Sequence, residues 1–256
     1  MPSTLGLKLS AFAGAVNLLM CAAIAAPAGS LSLLPATAIP IRFLHSVDAN
    51  NARVDDTVTA KTMQVIVLPD GQKIAKGTLV SGHVVVVEPF HFDSTPYAHQ
   101  RPSRISIHFD NIGSGEAAIP VNLSVRAIAN ANDSKNATYP HSFDDTDHVG
   151  EITLIGGTTF SPLDKAILSD DGDAIAYNRK RGLFARLIAS GSCNGTDTEQ
   201  SVAIFSPDAC GAYGFGGDYL AETGQDGSGS FTLALRGHSV KLYAGSTALL
   251  EVNPAN

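Results

Sequence analysis

Two places in the 256-residue chain bring imidazoles and carboxylates close together. His91, Asp93 and His99 follow a strand end at Pro89, and in an extended segment His91 and Asp93 project to the same side. His141, Asp144, Asp145, Asp147 and His148 form a second group in a polar stretch. Neutral imidazole and carboxylate suit zinc and other divalent ions. His91, Asp93, His99, His141, Asp145 and His148 are therefore the candidate metal ligands. The plainer reading of both groups is a solvated loop with scattered acids. Asp170, Asp171 and Asp173 surround Gly172 but lack EF-hand spacing and its late glutamate, so they read as a turn.

Nucleophile and cofactor systems are missing from the sequence. Gly227-Ser228-Gly229-Ser230 is not a G-x-S-x-G elbow, no lysine has a serine three positions before it, and neither a P-loop nor a dinucleotide fingerprint occurs. Gly211, Gly214, Gly216 and Gly217 are dense, but phosphate cradling needs a strand-to-helix turn and no helical pattern follows. Tyr213, Phe215 and Tyr219 are the close aromatic group of the C-terminal part and read as packing residues. The sequence points to no catalytic residue and no cofactor.

Cys193 and Cys210 are the two cysteines beyond the N-terminal segment. Without C-x-x-C spacing or nearby histidine partners they suit a disulfide in an oxidising compartment better than a metal. Such a compartment agrees with the N-terminus. Residues 1–28 carry Lys8 and no acid, are apolar from Leu9 to Ala26 save Ser10 and Asn17, and end in small residues. This is the pattern of an export signal, cleaved after Ala25 or Ala28. An uncleaved anchor and lipid attachment at Cys21 are the alternatives. The expected location is the periplasm, the outer membrane or the medium. A net charge of −7 argues against a general nucleic-acid partner.

The elements that must position these residues are strands. Period-two alternation and β-branched runs cover 36–44, 58–68, 78–88, 103–109, 117–129, 201–205, 230–235, 239–243 and 248–252. Pro69-Asp70-Gly71-Gln72 is a turn. The fold expected is mainly β: an antiparallel barrel or sandwich with a polar loop insertion at 129–150 and one or two short helices. Those helices are expected at 161–190, where Ala, Leu, Arg and Lys are frequent. The remainder, 191–256, is read as C-terminal strands with the disulfide. Arg179, Lys180, Arg181 and Arg186 make 161–190 the most basic stretch. It is either a solvated face or a contact with a membrane surface or partner.

Residues 34–128 carry a further pattern. An extended segment with Ile39-Pro40 leads to a serine-containing loop, an Asp before Val58-Thr59-Ala60, a hairpin, and Lys76-Gly77-Thr78 before a strand containing Gly82. The run from Ser103 to Val125 supplies a strand, a loop and another strand. This order resembles the barrel domain of TrbI-like proteins, components of conjugation and type IV secretion. It is also similar to exported bacterial proteins of unknown function that share the module. The resemblance implies a β-barrel and an envelope protein partner, and its inserted helical hairpin would correspond to 164–190. Gly71, Gly77 and Gly82 are expected to shape turns and a bulge. The reading is an exported, non-enzymatic envelope protein with a structural or interaction role. The alternatives are a metal- or small-ligand-binding module and a hydrolase using a His/Asp site.

Overall fold

Strand Ser103–Ile112 shows the rule that builds the molecule. Ile105, Ile107 and Phe109 are fully buried while Arg104 is exposed, so alternate side chains enter one core. The computed structural model describes Met1 and residues 33–68, 71–141, 150–169, 171–217 and 219–254. Beyond Met1, the export segment 1–28 lies outside the described residues, as do Pro69, Asp70, Asp144, Asp145, Asp147, His148 and Asp170.

Ten strands form the main sheet. They are β1 (Ala38–Phe43), β2 (Thr57–Thr62), β3 (Leu79–Glu88), β4 (Ser103–Ile112), β5 (Ile119–Pro120), β6 (Leu123–Ala129), β7 (Gly211–Tyr213), β8 (Tyr219–Glu222), β9 (Ser230–Leu235) and β10 (Thr247–Val252). Their order is β7-β6-β10-β1-β2-β3-β4-β9-β8, with β5 beside β4. All pairs are antiparallel except β6 with β7. The Val125 amide in β6 donates to the carbonyl of Thr223, just past β8, at 2.8 Å. The sheet thus curls until its far sides meet, forming a nearly closed barrel. Phe43, Phe109, Phe231 and the aliphatic residues around them fill its interior.

The glycines do different jobs. Gly77 has φ +83° at the tight entry to β3, and Gly71 has φ +82° in its turn. At Gly82 the β3–β4 register shifts, and an added Cβ would lie 2.1 Å from the His108 carbonyl oxygen. Gly82 is a bulge where the two backbones touch.

The expected helices at 161–190 are not there. That stretch forms Ala166–Leu168, Ala174–Arg179 and Gly182–Ala185, which with Gln200–Ser201 make a four-stranded antiparallel side sheet. Helix-favouring residues lost to two stronger constraints. Gly172 and Gly182 take positive φ in tight turns. In addition, Leu183, Ala185 and Leu187 are buried at alternate positions. A second core results, in which these residues, Ile167 and Ala176 pack on Ala38, Ala127, Ala129 and Leu249 from the outside of the barrel. The three alanines among those barrel positions let the side sheet approach closely. The one α-helix among the described residues, α1 (Ala131–Asn136), falls where a polar loop was expected. Asn130 caps it, accepting from the Asp133 amide at 2.8 Å.

Cys193 and Cys210 are joined as a disulfide. Among the described residues no helix is long and apolar enough to cross a membrane.

Candidate functional site

Where the side sheet leans on the barrel, their adjoining surfaces leave a cleft of about 730 Å³. Its floor is apolar: Leu44, Met63, Leu154, Phe160 and Ile204 line it. Five cations stand around that floor. Arg42, Lys61 and Lys76 come from the barrel, and Lys180 and Arg181 from the turn joining two side-sheet strands. Among the described residues no Asp or Glu lines the cleft, and none of the five cations has an acidic partner.

The strand register sets two of these charges against each other. Arg42 of β1 is directly opposite Lys61 of β2. Like charges in directly opposed positions destabilise a sheet. The guanidinium of Arg42 is also under-used. Among the described residues its buried Nε has no hydrogen-bond partner, and Nη2 reaches Thr138 Oγ1 at 3.4 Å. Lys76 is placed by the turn before β3. There the Gly77 amide donates to the Thr62 carbonyl at 2.8 Å, and Thr62 Oγ1 donates to the Ala75 carbonyl at 2.8 Å.

Gln64 ties the basic turn to the barrel. It is buried, its Nε2 donates to the Leu183 carbonyl at 2.7 Å, and its Oε1 accepts from the Leu183 amide at 3.0 Å. A side-chain amide here imitates one rung of a β-ladder. Gly182 takes φ +129°, which favours glycine, and a Cβ there would sit 2.2 Å from Gln64 Oε1 and push that amide off Leu183. Gln64→Ala leaves the Leu183 amide unpaired, while the Leu183 carbonyl keeps the Val202 amide at 3.1 Å, and is expected to cost about 1–3 kcal/mol. Hydrogen exchange should show the Leu183 amide losing protection before the barrel amides do. Unchanged protection there would contradict this role.

A second cleft, of about 540 Å³, lies on the other side of the same turn and shares Lys180 and Arg181. Arg179 faces this one with its charge already engaged. It pairs with Glu199 at 2.7 Å and stacks over Tyr177 and Phe184, at 5.1 and 5.6 Å from their ring centres. Arg186 is exposed and lines neither cleft. Of the four basic residues singled out in the sequence, Lys180 and Arg181 therefore reach the larger cleft. Arg42, Lys61 and Lys76 were missed, because only the strand register brings them to the same place.

The structure does not bring His91, Asp93 and His99 together around one point. Among the described residues no three His, Cys, Asp or Glu side chains converge to hold a metal. Asp93 instead closes its own loop, accepting from the Thr95 amide at 2.8 Å and from the Thr95 hydroxyl. Those two bonds hold its carboxyl below the usual range. His91 and His99 are exposed. His141 is exposed, with Nε2 3.2 Å from the Asn136 carbonyl oxygen.

A different polar group forms on the outer face of β3 and β4. His83 Nδ1 is 3.0 Å from Asp110 Oδ2, and His108 Nδ1 is 3.3 Å from Ser230 Oγ. The order serine, imidazole, carboxylate invites a hydrolase reading. Yet His108 Nε2 is 3.9 Å from Asp110, beyond hydrogen-bond reach, and Asp110 is engaged by His83 instead.

No protein-family model matches the chain, and neither a curated protein nor a solved structure matches it.

Proposed function

We propose that the protein is an exported cell-envelope component that acts by binding rather than by chemistry, and that a negatively charged partner docks at the larger cleft. One observation carries this reading: five cations without acidic partners among the described residues surround one cleft of a chain whose net charge is −7. A solvated basic face would be expected to scatter its cations among acids. Here they are segregated over an apolar floor.

Export is supported by the composition of residues 1–28 and by the Cys193–Cys210 bond, which suits an oxidising compartment. A relation to TrbI-like barrels is supported by the position of the resemblance, since residues 34–128 contribute β1 to β5 and most of β6. The helical hairpin of those proteins is not part of the proposal, because strands occupy its place.

Fractionation and co-purification test this reading. The protein is expected in the envelope or medium with both thiols oxidised. The wild type should retain an acidic envelope component that a K180E/R181E variant loses. A reduced cytoplasmic protein, or recovery indifferent to those two residues, would contradict the proposal.

A further inference from the structure

Resting on the proposed docking role of the larger cleft, a narrower inference concerns what it holds. The geometry points to a small anionic amphiphile: a carboxylate or phosphate head held by Arg42, Lys61 and the Lys180-Arg181 turn, and an apolar body along Met63 and Phe160.

Three independent features converge on this ligand. The first is charge. Arg42 and Lys61 are opposed across neighbouring strands, which lie about 5 Å apart. An anion between them turns a repulsion into two attractive contacts. The second is an orphaned donor. Arg42 Nε is buried and has no acceptor among the described residues; a guanidinium with an unused donor loses no bond by turning it to an oxyanion in the cleft it lines. The third is the floor. Beside the cations the cleft is lined by Leu44, Met63, Leu154 and Phe160, apolar surface that an inorganic anion leaves wet and that an alkyl or aromatic body buries. The volume, about 730 Å³, falls within the roughly 300–1,000 Å³ of small-molecule sites. The apolar segment at the chain's own N-terminus is a poor complement, for residues 1–28 contain no acid.

Isothermal titration of the full chain with dodecanoate and dodecyl phosphate, below their micelle concentrations, tests the inference. Inorganic phosphate and dodecyl maltoside serve as the head-only and tail-only controls. Both anionic amphiphiles are expected to bind one per chain, roughly tenfold or more tighter than either control. Raising salt from about 0.05 M to about 0.5 M should weaken them, since exposed Lys180 and Arg181 are screened. R42Q/K61Q and, separately, K180E/R181E should each lose about tenfold or more. The second pair lies at an exposed turn outside both cores, so its loss cannot be put down to misfolding.

Equal affinity for the neutral amphiphile, or anion binding unmoved by either pair, would overturn the inference. Binding that appears only after D144N/D145N/D147N would assign the cleft to the chain's own acids and would also overturn it. The two levels fail separately. If K180E/R181E abolishes capture of an acidic envelope protein while no amphiphile binds, docking stands and the ligand class is wrong. If amphiphiles bind with the expected charge dependence and no envelope protein is captured, the ligand class stands and the partner is the amphiphile itself.

Discussion

Arg126→Ala is expected to lower the unfolding free energy by about 3–5 kcal/mol, the usual cost of leaving one half of a buried ion pair behind. Arg126 sits in the middle of β6 with no exposed surface. Its guanidinium donates to the carbonyls of Ala209 at 3.0 Å, Ile188 at 2.5 Å and Asn194, and to Glu251 Oε1 at 3.1 Å. Three of those acceptors belong to the segment around the disulfide, so one side chain moors that segment to the barrel. Alanine would strand three carbonyls and a buried carboxylate together. Arg126→Lys would keep the charge but lose the planar fork that serves four acceptors, and should recover only part of the loss.

The same site predicts a pH dependence. Burial pushes the Glu251 carboxyl above its ordinary range, against the opposing pull of Arg126. A carboxyl whose folded pKa is raised binds its proton more tightly in the folded state. Its contribution is complete below the unfolded value, about pH 4.3, and is lost as pH rises through the folded value. Without Arg126 the folded value climbs further, so the variant should lose more stability on going from about pH 4 to pH 7 than the wild type does. Urea denaturation followed by circular dichroism at both pH values measures the two effects. A loss below about 1 kcal/mol, in the range of a single ordinary hydrogen bond, would contradict the mooring role.

Gly82→Val is expected to be nearly as damaging, at about 3 kcal/mol or more. The reason is steric rather than conformational. The missing Cβ would meet the His108 carbonyl oxygen at 2.1 Å and Phe109 Cα at 3.0 Å, both backbone atoms of the neighbouring strand. No rotamer relieves that clash, and β3 with β4 forms the longest pairing in the barrel. Gly77→Ala is the informative contrast. Nothing lies within 4 Å of the place its methyl group would take, and only φ +83° resists it. That change should cost about 1–2 kcal/mol. Thermal unfolding of the two variants side by side should separate them clearly, and equal midpoints would contradict the bulge assignment.

Much of the barrel is legible in the sequence because its signal is local. Ile105, Ile107 and Phe109 alternate with polar residues, and the strand reading of 103–109 follows directly. The disulfide is legible from cysteine number and spacing. Residues 161–190 mislead for a physical reason: Ala, Leu, Arg and Lys favour helix locally, while burial of Leu183, Ala185 and Leu187 against the barrel is a tertiary fact. The cleft divides along the same line. Lys180 and Arg181 stand out in a basic run, but Arg42, Lys61 and Lys76 look like ordinary outward positions until the register places them together. Arg126 is the extreme case. An arginine within Leu123–Ala129 reads as solvent-facing, and only the segment covering that face explains its burial.

Amide chemical-shift mapping during a dodecanoate titration addresses the binding role most directly. Saturable shifts are predicted around Arg42, Lys61, Met63 and the Lys180-Arg181 turn, absent from K180E/R181E. Shifts confined to the barrel interior, to the His83–Asp110 face, or scattered without saturation would contradict it.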